Sequence, residues 1–294
     1  MSTVGILVRP DLGKAGPAVR DLVAWLHERS VGACIDEHTA ALVQVADRVS
    51  CRVASSREVA ATADVLVVLG GDGTLLAASH LVDRPVPVLG VNFGSLGFLT
   101  EITMPELYPT LEGVLRGDYR FEERRMLRAR VQQRDSPETT GDVLNDVVVT
   151  KAALSRIIEL DVAVDGLFVS AFRADGLIIS SPTGSTAYNL AAGGPILHPT
   201  LEAVVLTPIC PHMLTNRPVV VSDRSTIEVR LRAAREGEAH TTLDGQRGYK
   251  LRDGDSVTIT RSPRTIRLVK SQRDYFEVLR TKLKWGDSTP SKSG

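Results

Sequence analysis

The chain has 294 residues, 43% of them hydrophobic, and its 35 Lys and Arg are balanced by 35 Asp and Glu. That length allows one large domain or two ordinary ones, with a sizeable core. Zero formal charge gives no basic surface for nucleic acid, and no apolar run approaches the roughly 20 residues that cross a bilayer.

Val4–Val8 reads as a first strand, and the polar stretch Arg9–Pro17 as a loop. Val19, Leu22, Val23 and Leu26 share one face of a helix over Ala18–Glu28. Gly32 ends that helix, Ala33–Ile35 is a weak second strand, and Ala40–Val49 a further helix. Ala63–Leu69 and Val86–Val91 are apolar enough for buried parallel strands, with helix-like segments between them and after Pro105. The alternation predicts an α/β layer with a mostly parallel sheet. From Gly117-Asp118-Tyr119 onward the runs become short and β-branched. Strands are expected at 144–150, 157–164, 167–171, 177–181, 204–207, 219–221, 226–231, 256–260 and 266–269. Asp165-Gly166 is a hairpin signal and Asp253-Gly254 marks another turn. This half reads as an antiparallel sandwich. Tyr275–Trp285 returns to helical spacing, expected to pack back on the first domain, and Ser288–Gly294 is a polar tail. The expected division is an α/β domain over 1–122, joined by 271–294, and a β-sandwich over 123–270.

The stretch Gly70-Gly71-Asp72-Gly73-Thr74 follows one strand end and precedes Leu75–Ala78, the start of a helix. Glycines there let a ligand approach the backbone, and the free N–H groups of the helix favour a phosphate. Asp72, in the middle of the turn, suits a hydroxyl or a metal beside that phosphate. An ordinary turn has the same composition. A second loop, Asn92–Phe98, follows the next strand end, so both face the crevice where such sheets bind ligands.

The run Arg173–Ile196 is dense in Ser, Thr and Gly. A strand ends at Ser181-Pro182, and Thr186–Ala192 reads as a short helix capped by Ser185. Such a loop supplies N–H and hydroxyl donors to a nucleotide. Tyr188 suits stacking on a base or ribose; Asp175 and the pair Asn145-Asp146 suit hydroxyls or amides. A Ser/Thr turn with a structural Tyr is the bland alternative. The three cysteines, Cys34, Cys51 and Cys210, have no paired spacing, which speaks against a disulfide framework or zinc site and fits a reducing compartment. His198, His212 and His240 lack ligand spacing. Met1–Val8 lacks the pattern of a signal peptide, so a soluble cytoplasmic protein is expected.

Together, Gly70–Thr74, Asn145-Asp146, the block Asp175–Pro195 and Leu243-Asp244-Gly245-Gln246 resemble the NAD kinase family over about Val65–Leu283. The glycine loop alone is shared with diacylglycerol kinases, sphingosine kinases and phosphofructokinases; the Asp175–Pro195 block is specific. The resemblance implies an α/β domain followed by a β-sandwich. It implies ATP-dependent phosphorylation of the adenosine ribose 2′-hydroxyl of NAD, giving NADP. Asp72 would be the general base or would only orient the hydroxyl. Gly70, Gly71, Gly73 and Thr74 would form the phosphate loop. Asn145 and Asp146 would hold the second ribose or the adenine, and Asp175 the nicotinamide side. Thr186, Ala187, Tyr188, Asn189, Leu190 and Ala191 would line the NAD pocket, Tyr188 packing on a ring. Arg156 and Arg173 would lie near the dinucleotide phosphates, and Gln246 would add a contact. Many relatives have Asn-Glu where this chain has Asn145-Asp146, and some have Arg where it has Ala77. A divalent cation, Mg²⁺, would be held largely by the triphosphate, with no ligand assigned to a protein side chain. A homo-oligomer, dimer or tetramer, is implied because a second subunit often completes the NAD site. Polyphosphate in place of ATP, and acceptance of NADH, stay open. A lipid kinase would share the glycine loop but has no use for the Asp175–Pro195 block. A non-catalytic NAD(H)-sensing module would be expected to have lost Asp72.

Overall fold

The computed structural model describes residues 2–9, 13, 15–43, 51–94, 96–134, 136–152, 156–232 and 239–285. The chain divides into two compact units, one of residues 1–123 with 266–294, the other of residues 124–265.

The first unit alternates strands and helices. Its elements are β1 (Thr3–Val8), α1 (Ala15–Glu28), β2 (Gly32–Asp36), α2 (Glu37–Val43), β3 (Arg52–Ala54), α3 (Ser56–Thr62), β4 (Val65–Gly70), α4 (Asp72–Ser79), β5 (Pro87–Asn92), β6 (Ile102–Thr103) and α5 (Leu107–Arg116). The strands pair in parallel in the order β5-β4-β1-β2-β3, with β6 beside the end of β5. Every residue of β4 is buried, as a central parallel strand requires. In α1 the apolar stripe Val19, Leu22, Val23, Leu26 faces the core. That helix starts three residues before the expected Ala18, because Pro17 is tolerated in a first turn that needs no N–H from it. The expected helix Ala40–Val49 begins instead at Glu37, where the Asp36 carboxylate accepts from Thr39 N–H at 2.8 Å. Its expected half from residue 44 lies outside the described residues.

The second unit contains most of β7 (Phe121–Gln132), then β8 (Thr139–Val143), β9 (Asp146–Lys151), β10 (Ile158–Val164), β11 (Leu167–Ala174), β12 (Gly176–Ser180), the helical turn α6 (Tyr188–Ala191), β13 (Ala203–Ile209), β14 (Val219–Ser222), β15 (Ile227–Arg232), β16 (Ala239–Leu243), β17 (Arg247–Leu251) and most of β18 (Ser256–Val269). One antiparallel sheet runs β14-β13-β12-β9-β16-β17. The other contains β11, β10, β15, β18, β7 and β8. Both bury their apolar faces in one core, with Val147, Val149, Leu177 and Ile179 from the first sheet and Leu160, Val162, Val229 and Ile259 from the second. This is the expected sandwich. Asp165 (φ 52°) and Gly166 (φ 79°) form the expected tight hairpin between β10 and β11.

Several stretches differ from expectation: β3, β6, β8, β16 and β17 are strands where none was expected, and two further differences concern β18 and β7. The strands read at 256–260 and 266–269 are one strand, β18. Pro263 falls between the part paired with β15 and the part paired with β5, and it breaks the apolar run that would have announced one strand. β7 was not among the expected strands because arginines and glutamates interrupt its apolar residues; Leu127, Ala129 and Val131 alternate into the sandwich core, while Met126 and the buried Arg124 take the other parity. Beyond β18 the chain forms α7 (Tyr275–Leu283), capped by Asp274, whose carboxylate accepts from Glu277 N–H at 2.8 Å. This helix is grouped with the first unit.

Candidate functional site

In the first unit, Gly70 ends β4, Gly71 is the N-cap of α4, and Asp72 is the first helical residue. The carboxylate therefore belongs to the helix start, not to the middle of the turn. It folds toward the segment after β5. Its Oδ1 accepts from Leu99 N–H (3.0 Å), Thr100 N–H (3.0 Å) and the Thr100 hydroxyl (2.9 Å); its Oδ2 accepts from Phe98 N–H alone (2.8 Å). A carboxylate offers about four lone-pair sites, so Oδ1 is saturated and Oδ2 keeps one acceptor site. Thr100 is itself oriented: Asn92 Nδ2 donates to its hydroxyl at 3.0 Å, and Gly94 N–H donates to Asn92 Oδ1 at 2.6 Å. A Cβ on Gly97 would stand 2.1 Å from Asp72 Oδ1 and 2.3 Å from Thr100 Oγ1, so only glycine lets this segment close over the carboxylate.

The wrapping segment is anchored from behind. Lys270 pairs with the Glu101 carboxylate, the Ser271 hydroxyl donates to it at 3.3 Å, and Arg273 donates to Glu101 O at 3.1 Å. Arg273 also pairs with Glu106 at 3.0 Å.

A cavity of about 570 Å³ opens at the carboxyl ends of β1, β2 and β4. Gly71, Gly73 and Thr74 line it, together with Arg9, Asp36 and Ser56. Gly71 and Gly73 have no atom within 4 Å of where a Cβ would be, and neither has positive φ. Internal packing does not require glycine at these two positions, and without a Cβ the backbone there is open to close approach by an external group. Asp36 is buried and also accepts from the Ser56 hydroxyl at 2.7 Å. Sequence reading missed Arg9, Asp36, Ser56 and Thr100. For Arg9 and Asp36 the available signal was a polar residue at or directly after the end of a parallel strand; Ser56 and Thr100 carried none.

In the second unit, Asn145 and Asp146 form the turn entering β9. Three consecutive N–H groups, of Leu144, Asn145 and Asp146, donate to the Asp244 carboxylate at 2.8, 2.8 and 3.0 Å. From the other side Ser181 N–H donates to Asn145 O (2.9 Å) and the Ser181 hydroxyl to Leu144 O (2.5 Å). A Cβ on Gly184 would stand 2.2 Å from Asn145 O. The Asp146 carboxyl is pushed up to about 7 by burial and by the neighbouring charge of Asp244.

The expected helix Thr186–Ala192 is a 3₁₀ turn, Gly184–Thr186, followed by the single turn Tyr188–Ala191, and Ser185 does not cap it. The Ser185 hydroxyl is buried, donates to Pro182 O at 2.6 Å and accepts from Leu197 N–H at 2.9 Å. It is spent on closing the loop. Asn189 is fully buried. Its Nδ2 donates to Ser185 O (3.1 Å) and Pro195 O (3.0 Å), and its Oδ1 accepts from Thr207 (2.6 Å). Every amide function it shows is internal. Tyr188 and Ala191 are exposed, while Thr186, Ala187 and Leu190 are half-buried.

Gln246 lies on the exposed loop from β16 to β17, next to Asp244. Arg156, Arg173 and Asp175 gather elsewhere. Ile158 is in register with Ala174, which puts all three at one end of the β10–β11 pair, and Lys151 Nζ stands 3.6 Å from Asp175. Asn145-Asp146 and Lys151 mark opposite ends of the six-residue strand β9, roughly 17 Å apart at about 3.3 Å per residue. The structure thus divides the expected dinucleotide residues into two groups.

A glycine turn over a parallel strand end, followed by a β-sandwich with its own loop cluster, defines a two-unit nucleotide-binding protein. Residues 4–119 match the family model of the ATP-NAD kinase N-terminal domain, and residues 144–271 that of the ATP-NAD kinase C-terminal domain. The chain is 52% identical to an NAD kinase of Geotalea daltonii, covering 91% of this chain and 93% of the relative. It is 50% identical to one of Citrifermentans bemidjiense, over 98% and 100%. Among solved structures, yeast NADH kinase complexed with NADH superposes with a TM-score of 0.90 at 25% identity, over 98% of this chain and 89% of that one. An Archaeoglobus fulgidus NAD kinase in complex with ATP gives 0.75 at 25% identity, over 96% and 99%. The chain belongs to the ATP-NAD kinase family, as its motifs suggested, and is an enzyme of that family's activity, the phosphorylation of NAD.

Proposed function

We propose that the chain transfers the γ-phosphoryl group of ATP to the adenosine ribose 2′-hydroxyl of NAD, with Asp72 as the general base. One observation carries the assignment: Asp72 is held by four donors with a single acceptor site left, on Oδ2. That site suits one hydroxyl. The ribose oxygen attacks phosphorus, the bond to the ADP leaving oxygen breaks, and the hydroxyl proton passes to Oδ2. The fixed donors on Oδ1 set the direction from which Oδ2 is approached. Gly71, Gly73 and Thr74 are proposed to receive phosphate oxygens in the adjoining cavity, with the first N–H groups of α4.

Asn145 and Asp146 are proposed to bind the NAD adenosine, Tyr188 to pack on a ring, and Thr186, Ala187, Leu190, Ala191 and Gln246 to line the pocket. Asn189 supports the loop from inside. Arg156, Arg173 and Asp175 stand about a strand length from Asn145, which favours their serving a neighbouring copy's site in a homo-oligomer. Among the described residues no group of three or more His, Cys, Asp or Glu forms a metal cage.

The test is incubation of the purified chain with ATP, Mg²⁺ and NAD, coupled to an NADP-specific dehydrogenase, with polyphosphate and NADH in parallel arms. Formation of NADP with ATP and NAD is expected; none with any donor would sink the reading.

A further inference from the structure

We propose that Asp244 is a positioning residue for NAD: its carboxylate fixes the backbone of the Asn145-Asp146 turn in the shape that presents Asn145 to the nucleotide. The inference rests on the reading of Asn145 as an NAD contact. Asp244 is buried at the tip of the β16–β17 hairpin, in the left-handed region at φ 51°, and Gly245 follows at 64°. That conformation turns its side chain back on the chain a hundred residues earlier. Three successive N–H groups converge on it, and its own N–H donates to Asp146 O at 2.9 Å. Converging N–H groups of this kind make an anion site. Here the anion is built in, so the backbone donors of the turn are consumed and recognition falls to the Asn145 side chain, which is half-buried. The serines of the β12 end complete the clamp from the opposite side.

Both oxygens of Asp244 are used, Oδ2 by Leu144 and Oδ1 by Asn145 and Asp146. An asparagine has one acceptor oxygen, so one end of the turn would face an NH₂ donor instead. The turn would relax without the loss of any group proposed to touch NAD.

The experiment compares full-length Asp244→Asn and Asp244→Ala with the parent, and with Val229→Ala, a cavity variant in the other sheet of the sandwich. KM for NAD, KM for ATP, kcat and Tm are measured for each. Asp244→Asn is expected to raise KM for NAD about 10-fold or more, and Asp244→Ala about 100-fold, by loss of buried charge-assisted bonds. KM for ATP should stay within about twofold. Val229→Ala should lower Tm while leaving KM for NAD unchanged. If Asp244→Asn lowers Tm but keeps KM for NAD within about twofold of the parent, Asp244 only stabilises the sandwich and the proposal is overturned. If Asp244→Ala fails to fold, Asp244→Asn decides. An inactive parent would instead overturn the kinase reading itself, and this inference with it.

Discussion

Replacing Asp72 by Asn separates charge from shape at the centre of the glycine loop. The amide keeps one acceptor. Turned so that its oxygen faces Leu99 and Thr100, it retains three donors and sets its NH₂ against Phe98 N–H, now 2.8 Å from Oδ2. One unpaired N–H costs about 1–3 kcal/mol, and the three remaining bonds lose their charge assistance, so the total is about 2–4 kcal/mol. At about 2–4 °C per kcal/mol, Tm should fall by roughly 5–15 °C. Turnover should fall roughly 10²–10⁴-fold, because Oδ2 no longer accepts a proton, while calorimetric NAD binding is largely kept. The companion is Thr100→Val, which deletes one of the four donors and leaves the carboxylate. It should lose about 1 kcal/mol of stability and less than about tenfold in turnover. Asp72→Asn turnover within about tenfold of the parent would show that the carboxylate is not the base. Equal losses in the two variants would show that loop shape matters and charge does not.

Three further outcomes follow from the same geometry. Gly97→Ala would drive a methyl into Asp72 Oδ1 and Thr100 Oγ1, so turnover should drop at least about 100-fold, with the Leu99 and Thr100 amide resonances displaced; wild-type kinetics would refute the cage. The raised Asp146 carboxyl holds a proton in the folded chain that the unfolded chain, with an ordinary value near about 3.9, has released. Stability is therefore lost as pH rises from about 4 to about 7, and Asp146→Asn should flatten that part of the Tm–pH curve and raise Tm at about pH 8; parallel curves would refute it. Gly166→Ala places a side chain at φ 79° in a tight hairpin and should cost about 1–2 kcal/mol in thermal melts with KM and kcat unchanged; an unaltered Tm would count against the turn.

What was legible in the sequence is what is local. The alternation of strand and helix, the Asp165-Gly166 hairpin and the glycine turn after β4 each declare themselves within about ten residues. The cage around Asp72 does not. Its donors are 26 to 28 residues away, and three of the four are backbone N–H groups, which carry no side-chain signature. The Asp244 clamp spans 98 to 100 residues and is hidden for the same reason. Asp244-Gly245 carries the same hairpin signal as Asp165-Gly166, yet its fit to the Leu243–Gln246 motif drew the reading toward ligand contact alone. Asn189 and Ser185 illustrate the converse. Asn189 was read as a ligand group and Ser185 as a helix cap, while burial commits both to holding the loop.

The three amides closed over Asp72 have one more use. Each N–H proton of Phe98, Leu99 and Thr100 points at a carboxylate oxygen, so its chemical shift responds to the charge on that oxygen. The chain therefore contains an indicator for its own proposed base. Adding NAD while following those three resonances would show, without a label, whether a bound hydroxyl has taken the last open site on Oδ2.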